Sequence, residues 1–160
     1  MTAFSQAPAA WQPKDPNYAE RVRASFARQR IMELFGARLV RVEPGLVDIE
    51  LAFRPELTQQ HGYLHAAAVT AIVDSACGYA ALSLMPPGCE VLSVEFKINL
   101  MAPARGQSFL ARGRVLRPGR TVTVCIGDVW ARGADGQETA IATMLATMFR
   151  VEAPAAKGEA

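Results

Sequence analysis

The stretch His65-Ala66-Ala67-Ala68-Val69-Thr70-Ala71-Ile72-Val73-Asp74-Ser75-Ala76-Cys77-Gly78-Tyr79-Ala80-Ala81-Leu82-Ser83-Leu84 decides how the chain folds. Nearly every position is apolar or small, and one carboxylate, Asp74, sits at its centre. A helix that is apolar on almost all faces belongs inside a protein. Burying an ionised carboxylate there is costly unless it is paired, hydrogen-bonded or solvated by a pocket. Asp74 is therefore either a satisfied structural carboxylate or a working one.

The run is long enough to raise the question of a membrane span. Asp74, Gly78 and the amphipathic strands that follow it argue for a buried helix in a domain with no membrane partner. The chain has 160 residues, enough for one core. Its net charge of +2 demands neither nucleic acid nor an anionic surface. Three cysteines, Cys77, Cys89 and Cys125, lie in apolar runs, an odd number with no zinc spacing. They point to free thiols in a reducing compartment, so the expected location is cytoplasmic, with no metal and no cofactor.

Outward from the helix, Asp15-Pro16 reads as a helix start and Gly36 as its stop, which predicts one N-terminal helix ending near Phe35. Residues 37–43 and 46–54 alternate on either side of Pro44-Gly45, a hairpin. Pro86-Pro87-Gly88 ends the central helix. In residues 91–101, Leu92, Val94, Phe96, Ile98 and Leu100 alternate with Ser93, Glu95, Lys97 and Asn99, which places Ser93 on the polar face of a strand. Strands over 108–116, 121–132 and 138–151 follow, separated by Pro118-Gly119 and Asp135-Gly136. Residues 1–14 and 152–160 are expected to be disordered, leaving a single domain over 15–151.

Tight turns make these strands antiparallel. One sheet with an apolar face and one long apolar helix, roughly 30 Å at ~1.5 Å per residue, bury each other when the sheet curves around the helix. The expected class is α+β: a hotdog fold with an extra N-terminal helix.

The segments Gln59-Gln60-His61-Gly62-Tyr63-Leu64-His65-Ala66-Ala67, Asp74 and Ser93-Val94-Glu95-Phe96-Lys97-Ile98-Asn99-Leu100-Met101-Ala102-Pro103-Ala104 resemble the PaaI-type hotdog thioesterases, as do Gly113-Arg114-Val115 and Gly119-Arg120-Thr121. The resemblance implies hydrolysis of acyl-CoA thioesters by a homodimer at minimum, with a homotetramer expected, and with active sites at subunit interfaces. It assigns Asp74 the part of general base or nucleophile. His65 matches the His of a His-Gly-Gly motif that reads His-Ala-Ala here. Ala66 offers the backbone N–H for the thioester oxygen, and Ser93 helps hold the attacking water. Gln59 lies near the thioester. Tyr63, Ala67 and Tyr79 are candidate pocket residues, and Arg112 and Arg114 candidate partners for the CoA phosphates. Two other readings share the fold, a non-catalytic acyl-CoA-binding module and an enoyl-thioester hydratase or dehydratase.

His65 and Asp74 are nine residues apart. On one helix, at ~100° and ~1.5 Å per residue, they lie on opposite sides and more than ~10 Å apart. They converge on one bond only if the helix start of one subunit faces the helix middle of another.

Overall fold

The protein is described by a computed structural model over residues 11–153. The expected disorder of residues 1–10 and 154–160 concerns positions outside that range. Residues 11–14 are packed in part, with the Trp11 indole lying where a Cβ on Gly45 would be, 2.4 Å away.

The sequence from Tyr18 to Phe35 forms two helices, α1 (Tyr18–Ala27) and α2 (Arg30–Phe35), in place of the one predicted. Gln29 between them is extended (φ −82°, ψ 94°). Asp15 is not the helix cap. Its Oδ1 accepts from the Asn17 N–H, and the first helical residue is Tyr18. Gly36 ends α2 with φ +70°, the left-handed conformation that glycine adopts without strain.

Two strands, β1 (Arg38–Glu43) and β2 (Leu46–Ala52), form the predicted hairpin. The central helix α3 covers Ala66–Leu82. Four strands follow: β3 (Cys89–Leu100), β4 (Ser108–Arg117), β5 (Val122–Arg132) and β6 (Glu138–Glu152). All pairings are antiparallel, and the sheet order is β1-β2-β4-β5-β6-β3. The chain thus leaves the hairpin, crosses the sheet as α3 and returns as β3 on the far edge.

Alternation places Phe109, Ala111, Gly113 and Val115 of β4 and Cys125, Gly127, Val129 and Ala131 of β5 against α3, all buried. The helix rests directly on the two glycines. A Cβ on Gly113 would come within 2.3 Å of the Ala76 backbone, and one on Gly127 within 2.4 Å of Val73 Cγ2. These contacts fix the helix on the sheet and turn Asp74 toward β3.

The C-terminal end of α3 precedes two prolines and leaves carbonyls without helical partners. The Arg21 guanidinium of α1 donates to the Leu82, Met85 and Pro86 carbonyls at 2.6–2.8 Å and pairs with Asp15 at 3.3 Å. Ser83 Oγ donates to the Ala80 carbonyl and accepts from the Gly45 N–H at 2.7 Å, tying the helix end to the β1–β2 turn. Hydrogen bonds from a charged group contribute about 1.5–3 kcal/mol each, so Arg21 holds α1 to the end of α3 together with the fully buried Val22 and the Phe26–Tyr79 ring contact. Among the described residues, no helix is long and apolar enough to cross a membrane.

Candidate active site

The N-terminal end of α3 is capped by His65. It is extended (φ −66°, ψ 141°), and its Nδ1 accepts the Ala67 N–H at 2.9 Å. That bond leaves the second ring nitrogen, Nε2, as the protonated one in the neutral imidazole. It also consumes the Ala67 N–H, while the Ala66 N–H has no acceptor among the described residues. An unpartnered N–H at a helix start is a ready anion donor. It opens onto a cavity of about 570 Å3 lined by Gln59, Tyr63, His65, Ala66, Val69 and Leu100, among others.

Of the residues predicted here, Gln59, Tyr63, His65 and Ala66 therefore meet in one cavity, and Ala67 is exposed outside it. The Gln59 side-chain oxygen is occupied by its own loop, accepting the His61 N–H. Tyr63 is held by Arg105, whose guanidinium lies 4.6 Å from the ring centroid and donates to the hydroxyl.

Asp74 faces a second cavity, of about 120 Å3, lined by Ser25, Gln29, Asp74, Tyr79, Glu90 and Ser93, among others. Ser93 Oγ donates to Asp74 Oδ1 at 2.7 Å. Alternation alone places Ser93 on the outer face, and the structure corrects this. The β3–β6 register shifts between Ser93 and Glu95, so Val94 is an extra residue, a β-bulge. Ser93 pairs with buried Met148 while Glu95 pairs with Thr147, so the strand changes face at the bulge. Beyond it Phe96, Ile98 and Leu100 face inward with Ala146, Met144 and Ala142.

Partial burial raises the Asp74 carboxyl above its ordinary 3.8, opposed by the hydrogen bond from Ser93. The shift is toward the range in which a carboxylate works as a base near neutral pH. Burial pushes the Cys77 thiol well up and Cys125 to about 12, so neither supplies a thiolate nucleophile. Tyr79 is buried with its ring edge-on to Phe26, and burial raises its hydroxyl, against a hydrogen bond from Ser25. No group of three His, Cys, Asp or Glu side chains able to hold a metal occurs among the described residues.

Arg112 and Arg114 lie elsewhere. Both point from β4 to the face of the sheet opposite α3. Arg112 makes a bidentate pair with buried Asp48 at 2.8 Å and lies over Trp130. Arg114 pairs with Asp128 at 3.0 Å, which also accepts from Thr143 at 2.8 Å. Their charges are spent across strands.

The sequence profile of the thioesterase superfamily matches residues 61–136, which hold α3 with Asp74, its partner Ser93 and the β4–β5 hairpin. A solved thioesterase family protein from Silicibacter pomeroyi is 50% identical, with a TM-score of 0.83, covering 84% of this chain and 98% of its own. The chain belongs to the thioesterase superfamily. The PaaI protein of Escherichia coli, from the phenylacetic acid degradation operon, shares the fold at a TM-score of 0.75 and 14% identity, over 86% of this chain and 95% of its own. The fold of this superfamily member is the hotdog fold, and the membership supports thioester hydrolysis as its class of activity.

Ser25, Gln29 and Glu90 are site residues that sequence reasoning missed. Ser25 reaches the Asp74 cavity from α1, and Gln29 from the extended residue that separates α1 from α2. The sequence carries no strong helix breaker there, and the local signal was absent.

Proposed function

We propose that this chain hydrolyses acyl-CoA thioesters in sites made by two copies of itself. The observation that carries the reading is the separation of the two halves of the machinery. Asp74 with Ser93 faces one cavity, and the free Ala66 N–H faces another. Ala66 and Asp74 are eight residues apart on one helix, about 12 Å of rise. A thioester carbonyl needs both groups within hydrogen-bonding reach at once.

Strand β3 supports the proposed pairing. It sits at the sheet edge, paired with β6 alone among the described residues, and leaves Leu92 (56%) and Val94 (57%) exposed, together with Phe96 (43%) and Leu100 (54%) on the helix side. A long apolar edge strand left open is a liability in a monomer. An isologous contact along it covers the edge on both copies. It also brings the helix start of one copy toward the Asp74 cavity of the other.

In the proposed reaction, the Asp74 carboxylate takes a proton from a water that Ser93 helps position. The water oxygen attacks the thioester carbon, and the carbonyl oxygen gains charge against the partner's Ala66 N–H, aided by the helix dipole. Collapse breaks the C–S bond, the proton passes to the thiolate, and free acid and CoA leave. His65 acts by capping the helix so that the Ala66 N–H stays free. The CoA phosphates are assigned to Lys14, Arg120 and Arg150, which line a third cavity of about 390 Å3 beside Trp11. Among the described residues none of these three is paired with a carboxylate.

The test is release of free CoA, followed with a thiol reagent, from aryl, short-, medium- and long-chain acyl-CoAs. Turnover by the wild type that falls by about 10²–10⁴ in Asp74→Ala is the expected result. Saturable acyl-CoA binding without turnover makes the chain a binding module and refutes the proposal.

A further inference from the structure

We infer that Trp11 is the platform on which the adenine ring of CoA stacks, so that the chain takes esters of CoA over esters of pantetheine or of a carrier-bound phosphopantetheine. The inference rests on the acyl-CoA reading above and adds to it the base, and with the base the class of thiol carrier.

Three observations carry it. The first is the make-up of the cavity of about 390 Å3 at the end of α3. Lys14, Arg120 and Arg150 line it, and among the described residues no carboxylate does. CoA carries three phosphoryl groups, one on the ribose and two in the diphosphate, which suits three cations. A phosphopantetheine on a carrier protein brings one phosphate and no base, and leaves the rest of the lining without a partner. The second is the aromatic ring. Trp11 and Gln12 line the same cavity. The edge of the Trp11 indole fills the space that a Cβ on Gly45 would take, in a turn where Gly45 has φ +75°, and the ring packs against the core. A ring held in place beforehand loses little freedom when a base stacks on it, and aromatic side chains are the usual platforms for bases. The Gln12 amide offers one donor and one acceptor, the pair that matches an adenine edge. The third is reach. Ala81 lines this cavity seven residues beyond Asp74, on the same face of α3 and about 10 Å along its axis. Arg150 pairs across the sheet with Val91, which lines the Asp74 cavity, so the two cavities are neighbours. The pantetheine arm has about 13 bonds from sulfur to phosphorus and spans about 15 Å when extended, at ~3.5 Å per three bonds. A thioester at Asp74 therefore lets the diphosphate reach Arg120 and Arg150 of the same copy.

Trp11 precedes α1, outside the helix and strands that carry Asp74, Ser93 and the Ala66 N–H. Recognition of the carrier thus falls to a segment that holds none of the reacting groups, and its loss shows in binding.

The experiment measures kcat and KM for one acyl group carried by CoA, dephospho-CoA, pantetheine and an acyl carrier protein, in the wild type, Trp11→Ala and Trp11→Phe, with thermal melting to verify folding. Calorimetric titration with adenosine 3′,5′-bisphosphate reads the subsite without turnover. The wild type is expected to favour acyl-CoA over acyl-pantetheine by about 100-fold or more in kcat/KM, with the dephospho-CoA ester about tenfold below CoA. Trp11→Ala raises KM for acyl-CoA by about 5–100-fold, weakens binding of the bisphosphate to the same extent and shrinks the preference for CoA over pantetheine. Trp11→Phe keeps most of all three, and it stands in if Trp11→Ala does not fold. Equal turnover of acyl-CoA and acyl-pantetheine, a carrier-protein ester as the best substrate, no binding of the bisphosphate, or a Trp11→Ala loss shared equally by acyl-pantetheine overturns this inference and leaves thioester hydrolysis intact. Binding of the bisphosphate that depends on Trp11, with no turnover of any ester, overturns the hydrolase reading and keeps the nucleotide subsite. Neither binding nor turnover overturns both.

Discussion

Replacing Ala66 by proline removes one hydrogen atom from the proposed machinery and little else. Ala66 is the first residue of α3, where proline is tolerated because that N–H has no helical partner. His65 before it is already extended, as a residue preceding proline prefers to be. The Ala66 N–H has no acceptor among the described residues, so no structural bond is lost. If this N–H stabilises the oxyanion, kcat falls by about 10²–10³. Ala66→Val, which adds bulk and keeps the N–H, separates steric from electronic loss. The decisive assay mixes Ala66→Pro with Asp74→Ala, refolded together. Each homodimer is nearly inactive. In a mixed dimer, one site combines an intact Asp74 with an intact Ala66, and the other combines both lesions. Random reassortment makes about half the dimers mixed, and each has one working site of two, so the mixture recovers about a quarter of wild-type activity. A purified mixed dimer recovers about half. A mixture no more active than its parents, with mixed dimers demonstrated by mass, refutes the composite site.

Asp74→Asn is expected to lose activity and to gain stability. The folded carboxyl titrates above its ordinary 3.8, so between the unfolded and folded values the native state binds more protons than the unfolded one. Wild-type stability therefore falls as pH rises through that window and is level above it, while the Asn variant lacks this loss. The difference in Tm, variant minus wild type, should grow with pH from about 4 and then plateau, and thermal melts at several pH values check it. Arg150→Ser and Arg120→Ser should raise KM for acyl-CoA about tenfold, an effect that shrinks with added salt, as expected for phosphate contacts. Arg112→Ser should leave KM near that of the wild type and lower Tm, because it strips buried Asp48 of its partner, a loss of about 3–5 kcal/mol.

Much of the fold was legible because it depends on local chemistry. The apolar run from Ala66 fixed α3, Pro44-Gly45 fixed the hairpin, and Gly36 fixed the end of α2. The misreadings share a different origin. A strict period of two carries Ser93 to the outer face, and only pairing with Met148 and Thr147 reveals that Val94 is an extra residue. Arg112 and Arg114 read as candidate partners for the CoA phosphates on one strand face. Their carboxylates, Asp48 and Asp128, sit on neighbouring strands 64 and 14 residues away and meet them only once the register is set. The same holds for Gln29, which lines the Asp74 cavity only once α1 packs on α3 through Arg21, Val22 and the Phe26–Tyr79 contact.

The change from His-Gly-Gly to His-Ala-Ala keeps the backbone donor but, read from the sequence, narrows the room for the thioester by two methyl groups. The geometry at the helix start weighs against that. Of the two N–H groups in question, His65 Nδ1 takes that of Ala67, so only the Ala66 N–H is free, and a methyl on Cα does not alter it. The Ala67 side chain is exposed and does not line the cavity, so its methyl takes no room from a thioester. The Ala66 methyl does line it, in a cavity of about 570 Å3 where one carbon is a small fraction of the space. Both alanines also favour the helix, each by roughly 1 kcal/mol over glycine in a helix interior and by less at its first turn. A stiffer first turn holds the free N–H in place, and a donor positioned before the substrate arrives needs no reorganisation as charge develops. On this argument the two alanines preserve the donor and steady it, and the residue on which the arrangement depends is the cap, His65, which selects the N–H that remains free.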